Sequence, residues 1–157
     1  MFIDAFLNEL NAGWLTAEEF ARVVVRLTAA MLVGAVAGIN RERVGKAAGL
    51  RTHMLVALGC AAFIVGVELA GMPQSDVSRV IQGLAAGIGF LGGGAILKSA
   101  EDKEIRGLTT AAGIWMTAGA GIAVGMGELA VGFIAIGFAW VVLSVLARLE
   151  IRSSNDA

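Results

Sequence analysis

The sequence predicts an all-α integral membrane protein, a bundle of five transmembrane helices preceded by a short N-terminal interfacial helix. Three observations predict it. Of the 157 residues, 57% are hydrophobic and 16% charged, against roughly 25% charged in a soluble domain, and the mean hydropathy is +0.80. Five apolar stretches approach the roughly 17 to 25 helical residues that cross a hydrocarbon core about 30 Å thick. The basic residues also gather in every second connection, as an odd number of spans requires.

Taken in order, residues 1–15 form a separate element, with Phe2, Ile3, Phe6, Leu7 and Leu10 at helical spacing opposite Asp4, Asn8 and Glu9. This element is expected to lie in the outer interface, with Trp14 at headgroup level. It contains no Lys or Arg, so it lacks the basic start of a cleaved signal and reads as part of the mature protein. Thr16 and Glu19 form a T-x-x-E capping box that starts the first span. The spans are Phe20–Ile39, Met54–Gly71, Val77–Leu97, Leu108–Val124, which is the shortest, and Leu129–Leu149. Residues 16–149 thus make the membrane domain, and 150–157 a short cytoplasmic tail. Strand alternation is absent, and lipid cannot satisfy free backbone groups, so packed helices are the expected spanning form.

Arg41, Arg43, Lys46 and Arg51 lie in the first connection, Lys98, Lys103 and Arg106 in the third, and Arg148 and Arg152 around the end of the last span. Lys and Arg resist translocation. The amino terminus is therefore expected outside and the carboxyl terminus in the cytoplasm of a multi-pass protein.

Several chemistries are disfavoured. A net charge of −1 argues for no nucleic-acid partner. Cys60 alone cannot close an intramolecular disulfide, and His53 alone cannot build a histidine metal site. No Ser/His/Asp or Cys/His set is available for nucleophilic catalysis, so an enzyme is not expected.

Glycine, with 22 residues, is the informative type. Small residues four apart let helix backbones approach in lipid, and three spans carry such stripes: Ala30, Gly34 and Gly38; Gly83 and Gly87 beside Gly89 and Gly93; Gly113, Thr117, Gly121 and Gly125. These are expected to pack one bundle or a homo-oligomer. The alternative is that Gly92, Gly93 and Gly94 break the third helix and bare carbonyls to an ion or water, which membranes tolerate only around a cavity. Gly87, Gly89 and Gly92 spell G-x-G-x-x-G, but no strand precedes them, and the dinucleotide reading is rejected.

Ionisable groups near a membrane invite a functional question. Arg22, Arg26, Glu68, Asp76 and Arg79 lie at the expected outer ends of three helices, where all five are placed to meet. Glu68 and Asp76 are weak candidates for a hydrated Mg²⁺, since three arginines beside two carboxylates make a poor cation cage. Structural ion pairing is the competing reading, with Asp76 capping its helix and Arg79 pairing or snorkelling. No other cofactor is implied. At the opposite end Arg41, Glu42, Arg43, Arg51, Thr52, His53 and the stretch 106–110 form a polar collar, which simple topology and anionic headgroups also explain.

At these residues the sequence resembles the MgtC/SapB family of bacterial membrane proteins. The matching pieces are Gly38 to Arg43 (GINRER), Ala48 to Val56 (AGLRTHMLV), Asp76 to Arg79 (DVSR), Gly87 to Leu97 (GIGFLGGGAIL) and Arg106 to Trp115 (RGLTTAAGIW). The resemblance implies a five-helix domain with the amino terminus outside, in the bacterial inner membrane. It also implies a part in magnesium limitation, acid survival and virulence, and a regulator that restrains the F-type ATP synthase through membrane contacts. A transporter of Mg²⁺ is the alternative. Many relatives carry an ACT-like domain after the fifth helix, and this sequence reads as a short form lacking it. The motif residues carried over are Arg41, Glu42, Arg43, Arg51, Thr52, His53, Asp76, Arg79, Gly89, Phe90, Gly94, Arg106, Gly107, Thr109, Thr110 and Trp115.

Overall fold

The computed structural model describes residues 1–11, 13–98 and 105–146. Its helices are α1 (Phe2–Asn11), α2 (Ala17–Arg43), α3 (Leu50–Leu69), α4 (Gln74–Gly94), α5 (Leu108–Gly125) and α6 (Leu129–Val141), the last continuing as a π turn over Val142–Leu146. Between α4 and α5 lies a short antiparallel pair, β1 (Leu97–Lys98) and β2 (Ile105–Arg106).

α2 begins where local chemistry dictates. The Thr16 hydroxyl accepts the Glu19 amide at 3.2 Å while the Glu19 carboxylate accepts the Thr16 amide at 2.8 Å, so two of the helix's orphan donors are satisfied reciprocally. α5 ends at Gly125 and is closed two residues on by Gly127, whose φ of +91° lets the Glu128 amide reach back to the Ala123 carbonyl at 2.9 Å.

α3 is the central helix. On one side Gly34 and Gly38 of α2 press on its backbone: a Cβ at Gly34 would stand 2.5 Å from the His53 carbonyl oxygen, and one at Gly38 would stand 2.6 Å from the Leu50 Cα. On the other side Gly121 and Gly125 of α5 do the same, with Cβ positions 2.5 Å from the Ala57 carbonyl and 2.9 Å from the Ala61 Cα. The order of these contacts makes α2 antiparallel and α5 parallel to α3. Asn40, late in α2, bonds Ser144, late in the last helix, so α6 runs with α2. α2 and α6 therefore run in one direction and α3 and α5 in the other.

The core matches this closeness. One cluster joins Ala29, Ala30 and Val33 to Ala57, Ala61, Ala120, Val124 and Ile136; a second joins Ala48, Val56 and Cys60 to Ile88, Ile114 and Ala118. Small side chains let backbones carry the contact, the usual solution where lipid offers no hydrophobic drive for helices to associate.

Among the described residues three helices, α2, α3 and α5, are long and apolar enough to cross a membrane, with 27, 20 and 18 residues. The 18 residues of α5 span about 27 Å at 1.5 Å each. α4 has comparable length but carries Gln74, Asp76, Arg79 and Gln82, and buries only Ile88 and Gly92. α6 is shorter, 13 residues before its π turn, and the expected fifth span ran on to Leu149, past the described residues.

Two expectations are corrected. A strand pair exists despite the absence of alternation, because two residues per strand are too few to show a period. The expected third span, Val77–Leu97, is shifted: α4 is continuous from Gln74 and ends at Gly94. The three consecutive glycines therefore form its last turn rather than a break within it, since each lowers helix propensity just where the chain must leave the helix.

Candidate functional site

Four of the five matching motif pieces lie toward the end of the bundle where α2 and α4 finish and α3 and α5 start, and the fifth, Asp76 to Arg79, lies at the opposite end. Glu42 accepts the Leu50 amide at 2.6 Å, which satisfies the first donor of α3 and sets a carboxylate at its positive dipole end. A Cβ at Gly49 would come within 2.7 Å of the Glu42 carboxylate, so a larger residue there would push that carboxylate aside. Thus a side chain from one motif piece caps the helix that carries the next.

Behind this cap lie buried polar residues. His53 is 1% exposed, and its Nδ1 stands 2.9 Å from the Gly49 carbonyl. A carbonyl only accepts, so Nδ1 carries the proton of that bond. Gly113 covers the ring, a Cβ there meeting Nε2 at 3.6 Å. Thr117, fully buried, donates its hydroxyl to the Gly113 carbonyl at 2.8 Å. Asn40 donates to the Ser144 hydroxyl at 2.8 Å. Arg41 is 4% exposed, and its Nε has no hydrogen-bond partner among the described residues. Asn40, Arg41, His53 and Thr117 line one small cavity of about 10 Å³.

The remaining motif residues divide by exposure. Thr110 is buried, whereas Arg43, Arg51, Thr52, Arg106 and Thr109 are exposed on the rim. Trp115 and Phe90 point outward at 57% and 83% exposure, and Gly89 and Gly94 meet nothing. Gly107 starts α5 with φ +94°, and a Cβ there would fall 2.0 Å from the Ala95 carbonyl, so this position admits only glycine. Lys103, Arg148 and Arg152 lie outside the described residues.

At the other end the five charged residues form two groups rather than one. Arg26 pairs with Glu68 and donates to the Gly125 carbonyl at 2.9 Å, tying α2 to the C-terminal ends of α3 and α5, where a cation suits the dipole. Arg22 bridges Glu18 at 3.0 Å and reaches Glu68 at 3.6 Å. Asp76 and Arg79 pair with each other at 3.2 Å within α4. Among the described residues no three His, Cys, Asp or Glu gather as a metal set, and both candidate carboxylates already face guanidinium groups.

Sequence reasoning passed over Asn40 and Ser144. The available signal was polarity: each is an uncharged polar residue at the edge of, or inside, an apolar run, where a hydrogen-bond partner is obligatory.

Apolar helices of spanning length, a glycine and alanine core and a polar cluster at one end define a helical integral membrane protein. Its family follows from comparison. Residues 27–152 match the MgtC family, and the chain belongs to that family. It is 41% identical to SrpB of Synechococcus elongatus over 90% of this chain and 84% of that protein. It is 43% identical to MgtC of Salmonella typhimurium over 67% of this chain and 44% of that protein. It is 34% identical to a candidate magnesium transporter, YhiD of Escherichia coli K12, over 86% of this chain and 65% of that protein. The chain thus spans less than half of MgtC's length. None of these three relatives is named as an enzyme. No solved structure matches the chain.

Proposed function

We propose that this chain is a non-enzymatic membrane regulator of magnesium, ion and membrane-energy homeostasis, related to stress or virulence, that acts by contact with another membrane protein. A homo-oligomer in the bacterial inner membrane is part of this reading. So are five spans, with α4 and α6 completing the set, the amino terminus outside and a cytoplasmic tail over 150–157. The opposed helix directions and the basic residues at the Arg41 end support that orientation. An F-type ATP synthase is one candidate partner.

The observation that carries the choice of regulator is the pairing of the carboxylates. Glu68 is held by Arg26 and Arg22, and Asp76 by Arg79, whereas a hydrated Mg²⁺ seeks free carboxylate oxygens. The competing reading, a small Mg²⁺ or other cation transporter, draws on the name of the YhiD relative.

Mg²⁺ flux into sealed liposomes holding the purified chain, against empty liposomes and the Asp76→Asn and Glu68→Gln variants, tests the choice. Folded, correctly inserted protein is expected to give no flux above the empty control. Saturable flux that either variant abolishes would establish a transporter instead.

A further inference from the structure

Arg41 presents a physical anomaly. Its guanidinium always carries a charge, its side chain is 4% exposed, and its Nε is buried with no partner among the described residues. Leaving a charge buried and uncompensated is among the more destabilising arrangements a fold can contain. The negative end of the α2 dipole offsets part of this cost but supplies no acceptor to Nε. Glu42, the adjacent carboxylate, is turned to the Leu50 amide.

The space beside Arg41 has a matching character. The cavity is small, about 10 Å³, on the scale of a single water or monatomic ion rather than of a ligand of many atoms. Among the described residues no acidic side chain lines it, whereas Asn40, Arg41 and Trp140, each of which carries a side-chain N–H, are among its lining residues. Asn40 uses one amide hydrogen on Ser144 and keeps a second. The walls are closed by Ile136, Ala139 and Leu143, whose low polarity strengthens any charge interaction inside. A water placed there would accept a hydrogen bond but would leave the guanidinium charge unmatched.

We infer that the cavity between α2, α3, α5 and α6 binds a single monatomic anion, chloride under cellular conditions, as the counterion of Arg41. The anion joins elements from four helices, so its occupancy tightens the Arg41 end of the bundle. This site is independent of the choice between regulator and transporter.

The test is thermal unfolding of the purified full chain in detergent, titrated with sodium chloride against sodium gluconate at constant ionic strength. Chloride and bromide are expected to raise Tm saturably, on the order of 5 °C when present at a hundredfold excess over Kd, and gluconate, which is too large, is not. Arg41→Met keeps the side chain's length without its charge, so it should unfold at the same temperature in both salts and, in gluconate, at or above the parent's Tm. Broadening of the chloride-35 resonance by the parent chain, reversed by bromide, provides a readout that needs no variant. Equal Tm for the parent in chloride and gluconate without such broadening would overturn the site and assign the guanidinium to an acceptor within the chain. A chloride response retained in Arg41→Met would overturn it equally, as a general salt effect.

Discussion

Helices α2, α5 and α4 carry glycines with the same four-residue spacing, yet their surroundings are opposite. Gly34, Gly38, Gly121 and Gly125 each lie so close to α3 that a Cβ would intrude on backbone at 2.5 to 2.9 Å. Gly83, Gly87, Gly89, Gly93 and Gly94 of α4 have nothing within 4 Å of that position. The spacing defines a face that permits close approach; it does not say what approaches. In α2 and α5 the partner is α3, and the glycines are consumed in holding one chain together. On α4 the equivalent face meets nothing among the described residues.

The largest effect expected from this contrast is at Gly121. Gly121→Leu must displace the Ala57 backbone rather than a flexible side chain, so a loss of about 3 kcal/mol or more is expected, past the common range for overpacked cores. Urea or thermal unfolding in detergent measures it, and a variant of parental stability would show that α3 and α5 can separate freely. Its failure to assemble would therefore report folding. Gly87→Leu on α4, which meets no backbone among the described residues, is the variant that isolates association: it should fold normally, and any lost complex is then due to a lost partner.

The two charged groups repeat the contrast at smaller scale. Arg26 is 14% exposed and Arg79 78% exposed. Glu68→Ala leaves the Arg26 guanidinium with the Gly125 carbonyl as its one acceptor among the described residues, at a cost of about 1 to 3 kcal/mol. The loss should be read as a lower unfolding midpoint, and Arg26→Met added to Glu68→Ala should recover part of it. No recovery would mean that the pair is not the source of the effect.

Gly87→Ala should move stability the other way. With open space around its Cβ, alanine relieves a helix-propensity cost of about 0.8 to 1 kcal/mol, so the monomeric chain should unfold slightly later. A decrease instead would reveal a neighbour pressed against α4 under the conditions of measurement.

These distinctions mark how far the sequence could be read. The Thr16 and Glu19 box was legible because capping is local, and so were the apolar cores of α2, α3 and α5. The end of α4 at its triple glycine was a matter of degree: the residues that weaken a helix were visible, but whether the chain leaves the helix or resumes it depends on Ala95 and Gly107 meeting across the turn. The motif residues were legible as letters and not as places. Nothing local distinguishes Arg41, which is buried, from Arg43, which is exposed, or shows that Glu42 reaches the Leu50 amide eight residues on. Those facts follow from how closely α2 approaches α3, which Gly34 and Gly38 permit.

The smallest expected effect separates structure from function most cleanly. Among the described residues Asp76 pairs only with Arg79, one turn away, and their side chains are 40% and 78% exposed. Exposed i, i+3 pairs are worth about 0.3 to 0.5 kcal/mol, so Asp76→Asn should leave the unfolding midpoint almost unchanged. That neutrality is what gives the variant its value. Because the helix and its neighbours stay intact, a change in Mg²⁺ flux or in complex formation would belong to the carboxylate itself. Lost flux would make Asp76 part of an ion path; lost complex with no flux in either protein would place it on the α4 surface that meets a partner. A drop in stability above about 1 kcal/mol, by contrast, would show that Asp76 holds more than Arg79, and the division of the five charged residues into two groups would have to be redrawn.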